Sequence, residues 1–568
     1  MVMSALTAIQ SPEERPARAE LLMAVKAGLA RVERSTPSTY KEAMSSGDSI
    51  KWRSAMQKEM DSCKQQDVWK LVKRSELKRG ANVLPCKWVY RIKTDSNGTI
   101  IEHKARITPK GFRQRAGVDY HEVFAGTGKY KTMRVGLSLA AKLDHELEQM
   151  DVPAAFLRAE LKEDVYMELP EGFRDGHEGM VCKLQKALYG LKQAPREWSL
   201  TLNSFLTGEL GLRPTVSDPC LLFKRSRTGR LILFFEFVDD FQGSFHREDR
   251  AEWNEIKAAL KRRFNTKDMG ESTWILGMRI TRDRKARTIT LDQELYVSKA
   301  LEKFGFEQCR TAETPEAVGA AHQELNEHQK QPADAQRYME IVGTLMYAAI
   351  STRPDIAHAT HYLASHMREP LEFHMTAAER VLRYLAGTLG AGLIFGSRNG
   401  GIVADSRGHG KWQTDVCAWA DADWANNRED RKSITGWVAK LNGDPVSWSS
   451  KKQRIVAQST CEAELYAEAA AIQEVLWLRG LLVELGLHVQ MGSLVHGDNQ
   501  STIAVSKNGV RSERTKHIDV KYHFVTETVT SGVVQLKWVP TAEQQADIFT
   551  KALPAPAFVK LRNLLMRC

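Results

Sequence analysis

The chain has 568 residues, 42% of them apolar and 27% charged, with 81 Lys and Arg against 70 Asp and Glu for a formal charge of +11. At roughly 150 residues per domain this length predicts three or four domains, and the composition excludes a disordered or fibrous chain. The basic excess favours an anionic partner, with nucleic acid the first candidate.

The N-terminus (MVMSALTAIQSPEERP) has no apolar signal region, and no run approaches the ~18 apolar residues of a membrane span. The eight cysteines are scattered without a Cys-x-x-Cys pair, so neither a zinc knuckle nor a dithiol motif is signalled and a reducing compartment is expected. A cytoplasmic location, or a nuclear one, and no membrane partner follow. Residues 1–45 hold one amphipathic stretch, ARAELLMAVKAGLARVER, expected to be a helix on a tether. Its arginines suggest a transit peptide, but four Glu by position 33 argue against one.

From Lys51, KWRSAMQKEMDSCKQQ is expected to be helical. PCKWVYRIKTDSNGTIIEHKARI predicts a hairpin, because alternating apolar residues flank the turn signal Asp95-Ser96-Asn97-Gly98. Residues 131–147 have helical periodicity, and a strand ending in QMDV follows. LILFFEFVDDFQGSF, residues 231–245, predicts two strands joined by a tight turn. Residues 313–335 are polar and weakly periodic, which marks a linker. Residues 336–390 are expected to be helical, with ERVLRYLAG closing on Gly387. NGGIVADSRGHGKWQTD, 399–415, is a second linker. Residues 416–568 then read strand, strand, strand, helix, strand, helix, strand, helix, a mixed order that suits an α/β domain. Neither an internal repeat nor a low-complexity block is present.

Two groups of acids stand in apolar surroundings. Asp151 sits between LEQM and AAFL, and Asp239 and Asp240 lie at the tip of the aromatic hairpin. A carboxylate in such a setting is costly unless compensated, and a divalent metal is a natural compensation. Nucleotidyl transfer uses two metal ions, one on the attacking hydroxyl and one on the leaving group, and Mg²⁺ takes only one or two carboxylates per ion. Taken singly, each of these acids also reads as an ordinary solvated turn residue.

The second group lies in the last 150 residues. Asp421 and Asp423 in AWADADW share a strand face. QSTCEAELYAEAAAIQEVLWLRGLL is an amphipathic helix whose Ser459 and Glu462 have capping-box spacing. Glu462 and Glu464 are about 200° apart around a helix, so Glu464 is the freer carboxylate. Asp498 ends an apolar strand (LVHGDNQ), and Asp547 opens EQQADIFTKAL. Four acids on separate elements suit metal-dependent phosphodiester hydrolysis, and singly each reads equally as a surface acid.

Longer blocks carry a resemblance. WVYRIKTDSNGTIIEHKARITPKGFRQRAGVDYHEVFAG, QMDVPAAFLRAELKEDVYMELPEGF, VCKLQKALYGLKQAPREW, FVDD and FNTKDMGESTWILGMRI resemble, in order and spacing, the reverse transcriptase of copia-type LTR retrotransposon Pol polyproteins. DADWANNREDRKSITGW, VSWSSKKQ, TCEAELYA, GDNQSTIAVSKN, RTKHIDVKYHFV and EQQADIFTKALP resemble the ribonuclease H region of the same family. The resemblance runs from about Ser38 to the C-terminus.

It implies a multidomain α/β and α+β protein. A right-hand polymerase of fingers, palm and thumb (46–312) would follow the N-terminal tail (1–45). A linker and helical connection (313–410) and a ribonuclease H-like mixed-sheet domain (411–568) would complete it. The implied activity is RNA-directed DNA polymerisation with cleavage of RNA in RNA/DNA hybrids, using two Mg²⁺ or Mn²⁺ ions per active site. The implied partners are an RNA template, a DNA primer, the hybrid, dNTPs and other products of a retrotransposon polyprotein.

Residue by residue, the resemblance makes Asp151, Asp239 and Asp240 the polymerase metal ligands and Lys267 the acid that protonates pyrophosphate. Lys104 and Arg106 would reach the triphosphate. Tyr189, Gly190 and Lys192 would line the nucleotide pocket, and Phe156 would lie under the sugar and exclude a 2′-hydroxyl. Asp421, Glu464, Asp498 and Asp547 would hold the ribonuclease metals. His517 and His523 fall in a family-like block without metal-ligand spacing and are read as structural or phosphate-contacting.

Several positions depart from the family pattern. Phe237 replaces Tyr before Val-Asp-Asp, Glu236 and Gln242 stand at apolar positions, and Pro153-Ala154 follows Asp151. Arg158-Ala159 replaces an Asn-Gly type pair, and Gly126 stands where Pro is usual. Glu236 is expected to be partly buried near the catalytic turn, to raise the proton affinity of Asp239 and Asp240, and so to weaken polymerisation. No Asp-Ser/Thr-Gly protease signature, His–Cys finger or integrase core is found, as expected for a processed product, a truncated copy or a captured gene. The alternative function is therefore a non-polymerising relic that binds nucleic acid, with ribonuclease H activity at most.

Overall fold

The computed structural model describes residues 36–94, 100–320, 323–396, 414–426, 430–508 and 519–567. The helix expected near the N-terminus, the tip of the first hairpin, most of the second linker and His517 lie outside these residues. It has the expected class, a multidomain mix of α/β and α+β layers.

The helix expected from Lys51 is α1 (Ser49–Gln65), and the first hairpin pairs β1 (Cys86–Thr94) with β2 (Ile100–Pro109). Helix α2 (Tyr130–Leu143) is shorter than its periodicity suggests. Asp144 adopts the left-handed conformation (φ 50°) and ends it, so that strand β3 (His145–Asp151) begins where further helix is expected.

A six-stranded sheet carries the first acids. It contains β3, β4 (Leu221–Arg225), β5 (Leu231–Phe237), β6 (Asp240–His246) and β7 (Lys267–Glu271), in the order β7-β3-β6-β5-β4 with the short segment Arg213–Pro214 outermost. All seven residues of β5 are buried because the sheet is covered on both faces. Leu231, Leu233, Phe235 and Phe237 pack towards α2. Ile232 and Phe234 pack with Trp198 of α3 (Ala194–Gly208) and Trp253 of α4 (Arg250–Phe264). Close approach of α2 requires Gly136, where a Cβ would stand 2.1 Å from the Phe235 ring.

Three helices follow the polar segment after residue 312: α5 (Ala335–Ser351), α6 (Ala357–Ser365) and α7 (Glu372–Gly387). The last sheet contains β8 (Val416–Asp423), β9 (Ile434–Leu441), β10 (Asp444–Lys452), β11 (Ser493–Gly497) and β12 (Val534–Trp538), ordered β10-β9-β8-β11-β12. Its first three strands are antiparallel and the last two join in parallel. Helix α8 (Thr460–Glu484) packs against β8 and β9. Between β11 and β12 two helices stand where one is expected, Gln500–Asn508 and Asp519–Thr530. Among the described residues, no helix is long and apolar enough to cross a membrane.

The two sheets share one apolar core, which runs from Tyr130 of α2 to residues of β8, β10 and α8. Polar anchors cross the same boundary. Arg134 of α2 donates to the carbonyls of Val446 (2.7 Å), Ile350 (2.8 Å) and Ser351 (2.9 Å) and lies over the Trp448 ring. Lys131 pairs with Glu474 at 2.8 Å, and Ser138 donates to Asp444 at 2.7 Å. Arg134→Ala would take this donor from the buried carbonyls of Val446 and Ser351 and from the part-buried carbonyl of Ile350. The substitution is expected to lower stability by about 3–5 kcal/mol in a denaturant titration; a loss below ~1 kcal/mol would show that water replaces the guanidinium.

Candidate active sites

Strand register assembles the first site. Asp151, last on β3, faces Asp240 on one side and Lys267 on the other. The β5–β6 hairpin pairs Phe237 with Asp240, which leaves Val238 and Asp239 as a two-residue turn. Val238 has φ +65°, a conformation that a β-branched residue adopts only under strain. The Trp198 indole N–H donates to the Val238 carbonyl at 2.6 Å, and Val152 N–H donates to the Asp239 carbonyl at 2.8 Å. The tip is thus held against the end of β3, and three carboxylates separated by almost ninety positions share one edge. Burial and then Asp151 push the Asp239 carboxyl up. Burial, Asp239 and Asp151 push Asp240 up to about 6. Mutual repulsion of this kind is what a bound cation relieves.

An aromatic stack adjoins the acids. Phe156, on the turn after Asp151, meets the Tyr189 ring at 4.5 Å between centroids, and the Arg106 guanidinium lies 4.4 Å over that ring. Lys104 and Arg106 project from the same face of β2, near Glu59 of α1. Gly190 has φ +111°, and a Cβ there would meet the Pro109 carbonyl at 2.6 Å, so the backbone conformation and the space both require glycine. Lys192, two residues after Gly190, points towards Gln114 and Tyr120. Its ammonium donates to Tyr120 Oη at 3.2 Å and to the Gln114 carbonyl at 3.4 Å.

The departures sit differently from the expectation. Glu236 is 3% exposed, on the sheet face towards α3, where Asn203 Nδ2 donates to it at 3.4 Å. Burial pushes its carboxyl up to about 8, so near pH 7 it is mostly neutral. The main influences raising Asp239 are burial and Asp151, and those raising Asp240 are burial, Asp239 and Asp151. The expectation that Glu236 adds negative charge to this site is therefore corrected, because burial against α3 keeps its carboxyl mostly protonated. Gln242 is buried and donates to Ser272 Oγ at 2.8 Å. Pro153 follows the last ladder bond, made by Val152 N–H, so its missing N–H leaves no gap.

The second site gathers Asp421 of β8, Asp498 just beyond β11 and Asp547 of the turn Gln545–Phe549, with one carboxylate oxygen of each within 4.8 Å of the others. Parallel pairing of Trp419 with His496 puts Asp421 and Asp498 at the same level of adjacent strands. Thr541 Oγ1 donates to Asp498 at 2.9 Å, and Thr550 Oγ1 donates to Asp421. Glu464 of α8 lies alongside. Burial pushes it up to about 10, with Asp421, Asp498 and Glu468 adding to the effect. Burial and Asp421 push Asp547 up to about 7. At the start of α8, Ser459 caps Glu462 N–H as expected, but the Glu462 carboxylate reaches Gln458 N–H at 2.7 Å, not that of Ser459. His523 lies on the helix Asp519–Thr530.

Lys551 was not expected here. Its ammonium lies 2.9 Å from Asp547 and 3.8 Å from Asp421. Burial disfavours its charge, but the two carboxylates outweigh burial and hold it protonated. Its one sequence signal is its place four residues after Asp547 in a helical-looking run, the spacing of an ion pair. All-oxygen donor sets of this kind fit hard divalent cations.

Residues 66–318 match the family described as reverse transcriptase (RNA-dependent DNA polymerase). Over 537 residues the chain is 39% identical to the retrovirus-related Pol polyprotein from transposon TNT 1-94 of Nicotiana tabacum, covering 93% of this chain and 39% of that protein. Over nearly its whole length the chain is thus similar to retrotransposon Pol polyproteins. It is also 34% identical to the Pol polyprotein from transposon RE1 of Arabidopsis thaliana, over 89% of this chain and 33% of that one. The chain thus spans between a third and two fifths of the length of these Pol relatives. A solved structure, the foamy viral protease-reverse transcriptase in complex with RNA/DNA hybrid, aligns with 87% of this chain and 54% of its own at 10% identity and a TM-score of 0.43.

Proposed function

We propose that this chain copies RNA into DNA at the Asp151 site and cleaves the RNA strand of the hybrid at the Asp421 site. The observation that carries this reading is the presence of two separate acid clusters on different sheets, the first of them beside the Phe156–Tyr189 pair with Arg106 over it. A polymerase must grip a nucleoside triphosphate, whereas a hydrolase acting on a duplex needs no such pocket. Asp151, Asp239 and Asp240 would hold Mg²⁺ or Mn²⁺ at the first site, and Asp421, Glu464, Asp498 and Asp547 at the second. A pair of such ions, when bound, activates an attacking oxygen and stabilises the leaving one.

The residues of the first site divide the remaining work. Arg106 and Lys104 attract the triphosphate through charge-assisted hydrogen bonds. Tyr189 and Gly190 form the floor, with the glycine allowing the backbone to approach the nucleotide. Lys267, opposite Asp151 on an exposed edge strand, can give a proton to the departing pyrophosphate. Phe156 fills the space beneath the sugar. Phe156→Ala is expected to raise ribonucleotide over deoxyribonucleotide incorporation at least tenfold in single-nucleotide extension, and an unchanged ratio would remove Phe156 from sugar selection.

Residues 46–312 would form the polymerase, 313–410 the linker and helical connection, and 411–568 the ribonuclease H unit. An RNA template, a DNA primer, dNTPs and the RNA/DNA hybrid would be the partners, along with other products of the same polyprotein. The overall test is extension of oligo(dT) on poly(rA), run beside Mg²⁺-dependent cleavage of a labelled hybrid. Cleavage without extension would favour the relic reading over this one.

A further inference from the structure

We propose that a cavity between helices α6 and α7 and the end of β8 binds a nucleotide unit, its base on an apolar floor and its phosphate on Arg380 and Arg383. The cavity has a volume of about 650 Å³, within the range of small-ligand sites. Arg380 and Arg383, three apart on α7, lie on one side of that helix. Both line this cavity and a second one of about 520 Å³, with Glu316, Ala317 and Val318 common to the two.

The two guanidiniums are short of partners. Both Nε atoms are buried and, among the described residues, have no acceptor. Arg380 donates once, to Thr314 Oγ1 at 3.0 Å. Among the described residues, no carboxylate pairs with either arginine. Glu316, the acid common to both cavities, is already taken by His358 at 2.7 Å. Asp423 and Glu313 also face the cavities, and Lys452 and Lys551 add positive charge. Buried guanidinium N–H groups without acceptors are costly. Two adjacent planar forks match a phosphate better than they match water.

The floor specifies the rest of the ligand. Leu363, Phe373, Ala377, Val381 and Ile434 line it, and Tyr362 offers a ring at the side. A flat, weakly polar body carrying a phosphate fits such a site, and a nucleotide has that chemistry. The cavity also reaches Asp423 and Lys551, and Lys551 pairs with Asp421 and Asp547. The nucleotide can therefore be free, or it can be one unit of a strand passing the second acid site. The strand source alone rests on the ribonuclease reading.

The test uses the full chain in EDTA. Polarisation of a fluorescent AMP would be followed in wild type and in Arg380→Gln/Arg383→Gln, with unlabelled AMP, adenosine and inorganic phosphate as competitors. A labelled RNA/DNA hybrid would be titrated in parallel. The expected result is AMP binding that weakens at least tenfold in the double variant, with adenosine competing at least tenfold worse than AMP. Absence of AMP binding together with a tenfold loss of hybrid affinity in the variant identifies the strand as the source and also supports the proposal. Wild-type affinity of the variant for both probes overturns it. If the double variant fails to fold, photocrosslinking of 8-azido-AMP to wild type decides: label in residues 357–387 supports the site, and label confined elsewhere overturns it. Hybrid cleavage measured separately in Mg²⁺ tells failure of this site from failure of the ribonuclease assignment.

Discussion

Asp498→Asn is expected to lower Mg²⁺-dependent hybrid cleavage by roughly a thousandfold or more while leaving primer extension within about twofold. Three decades of rate correspond to about 4 kcal/mol. That is the scale of one charge–charge interaction at 4 Å in a partly screened protein site, and Asp498 lies within 4.8 Å of both Asp421 and Asp547. The amide is isosteric, and its oxygen can still accept from Thr541, which holds Asp498 at 2.9 Å. The local fold should therefore survive. Removing one of several crowded like charges should leave the melting temperature unchanged or higher. Hybrid affinity should hold within about twofold and fall with added salt, because it rests on Lys and Arg against phosphate. Primer extension is spared because Asp151, Asp239 and Asp240 belong to a different sheet. Retention of more than a tenth of the cleavage rate would refute the role given to Asp498.

Local periodicity and turn chemistry made much of this fold legible. The aromatic hairpin, α8 with its cap, and the alternating order of the last 150 residues follow from residues that are neighbours in sequence. The acids were legible as acids in apolar settings, and the resemblance grouped them. What escaped was decided by packing between distant segments. Arg134 looks like a solvated helix position, yet its partners lie more than two hundred residues away on the last sheet and the α5 end. Lys551 reads as a surface lysine until β8 and the turn at Asp547 fold beside it. Helix α2 stops early because Asp144 accepts a left-handed backbone, which Asp tolerates better than most residues. Glu236 was misread for a related reason. Strand alternation says which residues share a face, but both faces of this sheet are covered, so alternation alone could not say what lies over each.

Glu236→Gln is expected to make stability less dependent on pH, by the share that this one carboxyl contributes, while leaving polymerisation nearly unchanged. In the folded chain burial raises the Glu236 carboxyl from its ordinary 4.5 to about 8. Its proton is therefore held more tightly folded than unfolded. The resulting stability is fully present below about pH 4.5 and is lost as pH rises through 8. Across that window unfolding releases a proton, so stability falls with rising pH. A shift of this size corresponds to roughly 3–5 kcal/mol. Glutamine is neutral at every pH in this range and can still accept from Asn203, so the variant should match wild type near pH 5 and exceed it by several kcal/mol near pH 8. Glu468, likewise raised to about 8, and Glu464, Asp547 and Asp240, raised to about 10, 7 and 6, would keep a slope of the same sign in the variant. Denaturant titrations at pH 5, 6, 7 and 8 measure the difference directly. Primer extension at pH 7 should stay within about twofold, because the neutral carboxyl places no charge on Asp239 or Asp240. A parallel pair of stability curves would mean that water or a cation reaches Glu236 in solution. A large rise in extension would restore the idea that Glu236 burdens the catalytic acids.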